Sequence, residues 1–163
     1  MSKAISIGAV AAAAIIATIV PFAAFADDDR DRGNRAKIGV RLDFSSSTQA
    51  DGSFAVCCSV TDAGTAQAEV TSYVEKGDHA RFEATNEFAG EKGSFTILLR
   101  GTTGPLSSPI HVARGRWHVT EGSGAYADLE GKGRFTAVTN QSTGALTAID
   151  KGRLELGGSD KDD

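Results

Sequence analysis

Residues 79–88 read HARFEATNEF: four of the five even positions are apolar, the fifth being Asn86, and the odd positions are charged or polar. Phe82 and Phe88 stand at even positions, whereas Arg81 and Glu87 stand at odd ones. This period of two is typical of a β-strand that buries one face and exposes the other to water. The stretch therefore predicts a half-buried strand.

The same alternation recurs along the chain, and no segment after residue 26 has a sustained helical period. In segment 69–75, it places Val70 and Val74 on one face and Tyr73 on the other. About eight strands joined by short turns predict an all-β fold, either a sandwich or a barrel. A closed or nearly closed antiparallel barrel is favoured because closure removes exposed sheet edges. The other predicted strands are 37–44, 54–60, 94–101, 111–120, 132–139 and 146–156.

Glycines inside or beside these strands are expected to permit the bulges and bends that curl a sheet into a barrel. The side chains expected inside mix large aromatic residues with alanines, so the interior is either packed solid or holds a small apolar cavity. In the second case we expect Trp117 and Tyr126 near the cavity rim, and Phe82 and Phe95 as further ligand-binding residues. The glycines concerned are Gly90, Gly93, Gly101, Gly115, Gly131, Gly133 and Gly152.

Residues 1–26 have the parts of an N-terminal export signal: a positive start at Lys3, an apolar stretch and the small-residue exit Ala24-Phe25-Ala26. We expect cleavage between Ala26 and Asp27, and a secreted, extracellular or periplasmic, protein that leaves the membrane. An uncleaved membrane anchor is the alternative.

The length of the mature chain is typical of a protein with a single core, so we expect it to form one domain. Residues 27–36 form a flexible charged N-terminal tail, residues 37–156 the barrel domain, and residues 157–163 a flexible acidic C-terminal tail.

The formal net charge is −4, and loss of Lys3 makes the mature chain one charge more negative. Such a balance argues against nucleic acid as a partner, since phosphates require a basic face. It leaves the oligomeric state open.

The two cysteines, Cys57 and Cys58, are adjacent. Neighbouring side chains of a strand point to opposite faces, so the pattern favours two separate thiols; a strained vicinal disulfide is the alternative. Two cysteines without further ligands at metal-binding spacing predict no metal site, and nothing predicts a cofactor.

No nucleophile, base and acid stand in a recognisable catalytic signature. The most distinctive segment, residues 116–135, combines a Gly122-Ser123-Gly124 turn, Tyr126 and Leu129 with a Gly131-Lys132-Gly133 start to the next strand. It resembles the corresponding segment of allene oxide cyclase-like and dirigent-like barrels of the calycin type, and more closely that of bacterial secreted domains of unknown function. With residues 88–95 the resemblance covers about a third of the chain.

The resemblance implies a barrel whose corner is formed by these glycines, with Tyr126 and Leu129 closing the barrel end. The first hypothesis for function is a non-enzymatic module that binds a small apolar ligand or another surface. An allene oxide cyclase-like isomerase is the alternative, and for it Glu121, Asn86 and His111 are the candidate catalytic residues. A third hypothesis is a structural extracellular protein.

Overall fold

The computed structural model describes residues 34–157. There, eight antiparallel strands form a closed barrel in which each strand pairs with its neighbours in sequence and β8 pairs with β1. The predicted all-β, closed antiparallel barrel is thus confirmed, while the predicted export signal lies outside the described residues. The strands are β1 Arg35–Phe44, β2 Gln49–Cys58, β3 Asp62–Lys76, β4 His79–Gly90, β5 Gly93–Gly104, β6 Ile110–Gly122, β7 Leu129–Asn140 and β8 Ala145–Leu156.

The barrel begins slightly earlier than the sequence predicts. Arg35 and Ala36 pair with β8, and Ala36 is buried, so these two residues belong to the barrel and not to the N-terminal tail. At the other boundary β8 ends at Leu156, the last residue of the predicted domain. Within residues 34–157 no helix is long and apolar enough to span a lipid bilayer.

The barrel has two different ends. Loops after β1, β3, β5 and β7 lie at one end, which we call the open end; loops after β2, β4 and β6 lie at the other, the closed end. A short 3-10 helix, Gly124–Tyr126, follows β6 at the closed end and buries the ring of Tyr126. This agrees with a role of Tyr126 in closing the barrel.

A buried carboxylate fixes the closed end. The Tyr126 hydroxyl donates a hydrogen bond of 2.5 Å to Asp62, whose side chain also accepts bonds from the backbone N–H groups of Ala63 and Glu91. Burial raises the pKa of Asp62, but the hydrogen bonds from Tyr126 and the backbone outweigh it and leave the pKa below its ordinary value. The ionised carboxylate therefore links β3, the β4–β5 turn and the 3-10 helix.

Glycines on neighbouring strands make room for two interior aromatic rings, those of Trp117 and Phe135. A Cβ at Gly133 would lie 2.7 Å from Cε2 of Trp117, and one at Gly152 would lie 2.5 Å from Cζ2. These two glycines pair directly across β7 and β8. Gly101 and Gly115 pair across β5 and β6. A Cβ at Gly101 would lie 2.7 Å from Cζ of Phe135, and one at Gly115 would lie 2.6 Å from Cε1 of the same ring. These glycines thus provide space for aromatic rings against the barrel wall.

The cysteine prediction needs correction. Cys57 and Cys58 are joined in a vicinal disulfide at the end of β2, and both residues are exposed. The expectation of two separate thiols assumed regular strand geometry. Cys58 instead has φ 91°, outside the β region, so the two side chains no longer point to opposite faces.

Two bulges shift the alternation. Between Val70 and Ser72 the register of β3 slips by one, so that Tyr73 pairs with the inward residue Phe82 and Val74 turns outward. The second bulge lies in β6, where Val119 pairs with Ile97 but Glu121 pairs with Thr96. Each bulge moves the following side chains to the opposite face of the sheet.

Candidate ligand-binding cavity

A cavity of about 600 Å³ occupies the half of the barrel interior next to the open end. Its size lies within the range of pockets that hold small organic ligands, roughly 300–1,000 Å³. Strands from around the barrel contribute to its wall. The principal apolar contributors are Leu42, Phe44, Val70, Phe82, Leu99 and Leu146.

The distribution of large and small side chains explains why only one half of the barrel is hollow. In the closed half, the rings of Phe54, Phe88, Phe95 and Tyr126 contact one another, with centroid distances between 4.9 and 5.9 Å. In the open half, the inward positions of β3, β4 and β6 carry alanines that leave the axis free. They are Ala68, Ala84 and Ala113.

Asn86 forms the deepest polar point of the cavity. It follows Phe82 and Ala84 along the inward face of β4, and the next inward residue, Phe88, is fully buried in the closed half. Asn86 is only 6% exposed, and its amide makes no hydrogen bond to another described residue. The Asn86 amide atoms are not among the fully buried ones, so they are accessible from the cavity, and a ligand group inside it could form a hydrogen bond with them.

A second polar group lies toward the rim. The Nδ1 atom of His111, near the start of β6, lies 3.1 Å from the side-chain amide nitrogen of Gln141. Both residues line the cavity. Tyr73 reaches the same rim from β3 and is 48% exposed. The cavity therefore has an apolar wall between a polar floor and a polar rim.

No Asp, Glu, Lys or Arg side chain among residues 34–157 lines this cavity. An ionic ligand group would lose its hydration without gaining a counter-charge, which is strongly unfavourable. The arrangement favours an uncharged, mainly apolar molecule with one hydrogen-bonding group. In the same part of the chain, no cluster of three or more His, Cys, Asp or Glu side chains could hold a metal ion.

Of the four residues predicted to bind a ligand, only Phe82 lines the cavity. Trp117, Tyr126 and Phe95 are buried elsewhere in the interior. The 3-10 helix places Tyr126 at the closed end, where the ring centroid of Phe95 lies 5.2 Å from that of Tyr126. Trp117 lies over Gly133 and Gly152, the glycine pair of β7 and β8. The cavity rim carries Tyr73 and His111 where Trp117 and Tyr126 were expected.

Only two of the three candidate catalytic residues lie at the cavity. Asn86 and His111 both line the cavity. Glu121 does not: plain alternation from Trp117 would turn it inward, but the bulge in β6 turns it outward, where it is exposed near the closed end. The structure thus brings together two of the three residues.

One interior residue was missed from the sequence. Asp150 on β8 is fully buried, and neither of its carboxylate oxygens has a hydrogen-bond partner. Burial raises its pKa to about 7. It lies between Ile38 and Phe135 on the neighbouring strands and does not line the cavity. Its alternation with Ala148 and Leu154 was the signal that could have identified it as inward-facing.

Comparison with protein families, curated proteins and solved structures gave no match for this chain.

Proposed function

We propose that this protein is exported and that its barrel binds a small, uncharged, mainly apolar molecule in the open-end cavity. The observation that carries the proposal is the Asn86 amide, unpartnered at the floor of a cavity without charged lining. A ligand carbonyl, hydroxyl or amide would pair with Asn86 while its apolar body contacts the wall. Export rests on the sequence of residues 1–26 alone.

Binding is proposed ahead of catalysis because of the cavity's chemistry. A cyclase of the allene oxide cyclase type would use polar groups beside its substrate. The candidate residues that line the cavity are Asn86 and His111. No carboxylate of the described residues accompanies them. The resemblance of residues 88–135 to allene oxide cyclase-like barrels remains part of the proposal as a statement about ancestry, and it does not assign an activity.

Filling the cavity tests the proposal. Ala84 lines the cavity from β4, whereas Ala89 on the same strand is exposed on the outer surface. Ala84→Phe places a phenyl ring in the space that a ligand would occupy, and Ala89→Phe is the matched control. With decanol as the probe, we expect Ala84→Phe to weaken binding by at least about tenfold, a free-energy difference of roughly 1.4 kcal/mol.

The measurement is native mass spectrometry combined with calorimetric titration of decanol, after equal thermal unfolding midpoints have shown that both variants fold. Ala89→Phe should bind decanol like the wild type. Wild-type protein that takes up no decanol, or two variants that bind it equally well, would contradict the proposal.

A further inference from the structure

The outer surface of the barrel separates charges of opposite sign. On β6, β7 and β8 six exposed cations face outward: Arg114, Arg116, Lys132, Arg134, Lys151 and Arg153. We call this surface the basic face. On the outward positions of β2, β3 and β4, the acidic residues Asp51, Glu69, Glu83 and Glu87 predominate. The net charge of −4 conceals this separation because it sums both sides.

Strand register brings cations of the basic face directly opposite one another. Arg116 pairs with Arg134, Arg134 pairs with Lys151, and in the next row Lys132 pairs with Arg153. Like charges at directly opposite positions of antiparallel strands destabilise the sheet. The only ion pair found within residues 34–157, between Arg100 and Glu83, lies outside this face. None of the six cations has an ion-pair partner among the described residues, so together they give this face a positive potential.

The basic face adjoins exposed apolar side chains on the same strands. Ile149, two residues before Lys151 on β8, is 36% exposed, and Val138 on β7 is 44% exposed. Val138 pairs directly with Val112 of β6. Cations beside exposed aliphatic groups suit the surface of an anionic bilayer, where headgroup charge and acyl chains meet within a short distance.

The side chains on this face are less suited to nucleic acid. Binding of single strands uses aromatic rings on which bases stack. Trp117 and Phe135, the aromatic residues of β6 and β7, are buried inside the barrel. Glu130 and Glu155 limit the basic face toward the closed end, where they pair with each other.

We infer that the basic face docks the barrel on an anionic lipid bilayer. Each Lys or Arg held near such a surface strengthens binding about fivefold, so six of them suffice for peripheral binding without insertion of a strand or helix. The inference does not depend on the cavity, since every residue concerned points outward. It departs from the sequence-based expectation of a protein without a membrane partner.

The test compares two double variants that lose the same charges from opposite sides. Arg134→Gln with Lys151→Gln removes a directly opposed pair from the basic face. Lys76→Gln with Arg81→Gln removes one Lys and one Arg that are exposed on β3 and β4. The chain from Asp27 onward is used, which contains the whole barrel and excludes the apolar stretch of residues 4–22.

Binding is measured by co-sedimentation with vesicles of phosphatidylserine and phosphatidylcholine in equal amounts. We expect the basic-face variant to bind about 30-fold more weakly than the wild type, and the control variant to stay within about twofold. The basic-face variant should also unfold at the same or a higher temperature, because a like-charge contact is removed.

Equal weakening of both variants, or wild-type binding that is as strong on pure phosphatidylcholine, would overturn the inference. The inference would also be overturned if the wild-type protein did not bind the mixed vesicles but bound duplex DNA or a sulfated polysaccharide through the same residues. Ala84→Phe should bind vesicles normally, which distinguishes failure of this inference from failure of the proposed function.

Discussion

Asp150 and Asn86 are polar residues inside the same barrel, but their surroundings give them different consequences. Asn86 faces a space that a ligand can enter, whereas Asp150 is enclosed by packed strands. Alternation predicts Asn86 as an inward candidate residue. The inward position of Asp150 is harder to predict, because the polar residue Lys151 and the apolar residue Ile149 on either side of it both point outward.

The pH dependence of stability tests the description of Asp150. Its pKa of about 7 in the folded barrel exceeds the ordinary value of 3.8, so folding favours the protonated acid. Its contribution is therefore most favourable below about pH 4 and is lost as the pH rises toward 7. Asp150→Asn, which cannot ionise, should match the wild type near pH 4 and exceed its free energy of unfolding at pH 8 by on the order of 4 kcal/mol.

Urea denaturation followed at several pH values measures this difference. Asp43→Asn, on the exposed outer surface of β1, is the control. Parallel pH profiles for wild type and Asp150→Asn would show that Asp150 is not held in a protonated, unpartnered state.

At the scale of strands, alternation located all eight elements, but it failed wherever a bulge interrupts the pattern. Val74 and Glu121 both follow a bulge, and both lie on the face opposite to that predicted. Nothing in the residues Thr71 or Thr120 distinguishes a bulged position from a regular one. Since register depends on pairing with another strand, it could not be determined from either strand alone.

The glycine pairs show a further limit of strand-by-strand reasoning. Gly133 and Gly152 were expected to allow bends, and a Cβ at either would meet both a backbone carbonyl oxygen of the paired strand and the indole of Trp117. This requirement crosses three strands, so it becomes visible only when β6, β7 and β8 are placed side by side.

Gly133→Ala tests that requirement. A methyl group there would meet the Trp117 ring and the Lys151 carbonyl oxygen, and overpacking of this kind costs about 1–3 kcal/mol. We expect a loss of that size in the free energy of unfolding, measured by urea denaturation with fluorescence of Trp117, the only tryptophan. Thr136→Ala, an exposed outward position of β7, should change it by less than about 0.5 kcal/mol. Equal effects would mean that Gly133 serves no packing role.

For the whole molecule, the strand pattern together with the Gly122 to Gly133 segment predicted a closed or nearly closed barrel but not the position of the cavity. Whether a barrel is hollow depends on which large side chains share a level, and hence on the offset between strands. Here that offset gathers Phe54, Phe88 and Phe95 in the closed half and leaves alanines in the open half. Charge separation was missed for a similar reason, because it depends on which strands are neighbours.

The most direct test of ligand binding in the open half is to map backbone amide chemical shifts while decanol is titrated into the protein. We expect saturable shifts that cluster at cavity residues, among them Phe82, Ala84 and Asn86, and unchanged signals at Tyr126 and Asp62 of the closed end. Shifts centred on the closed end, or weak shifts scattered over the outer surface without saturation, would contradict binding in the cavity.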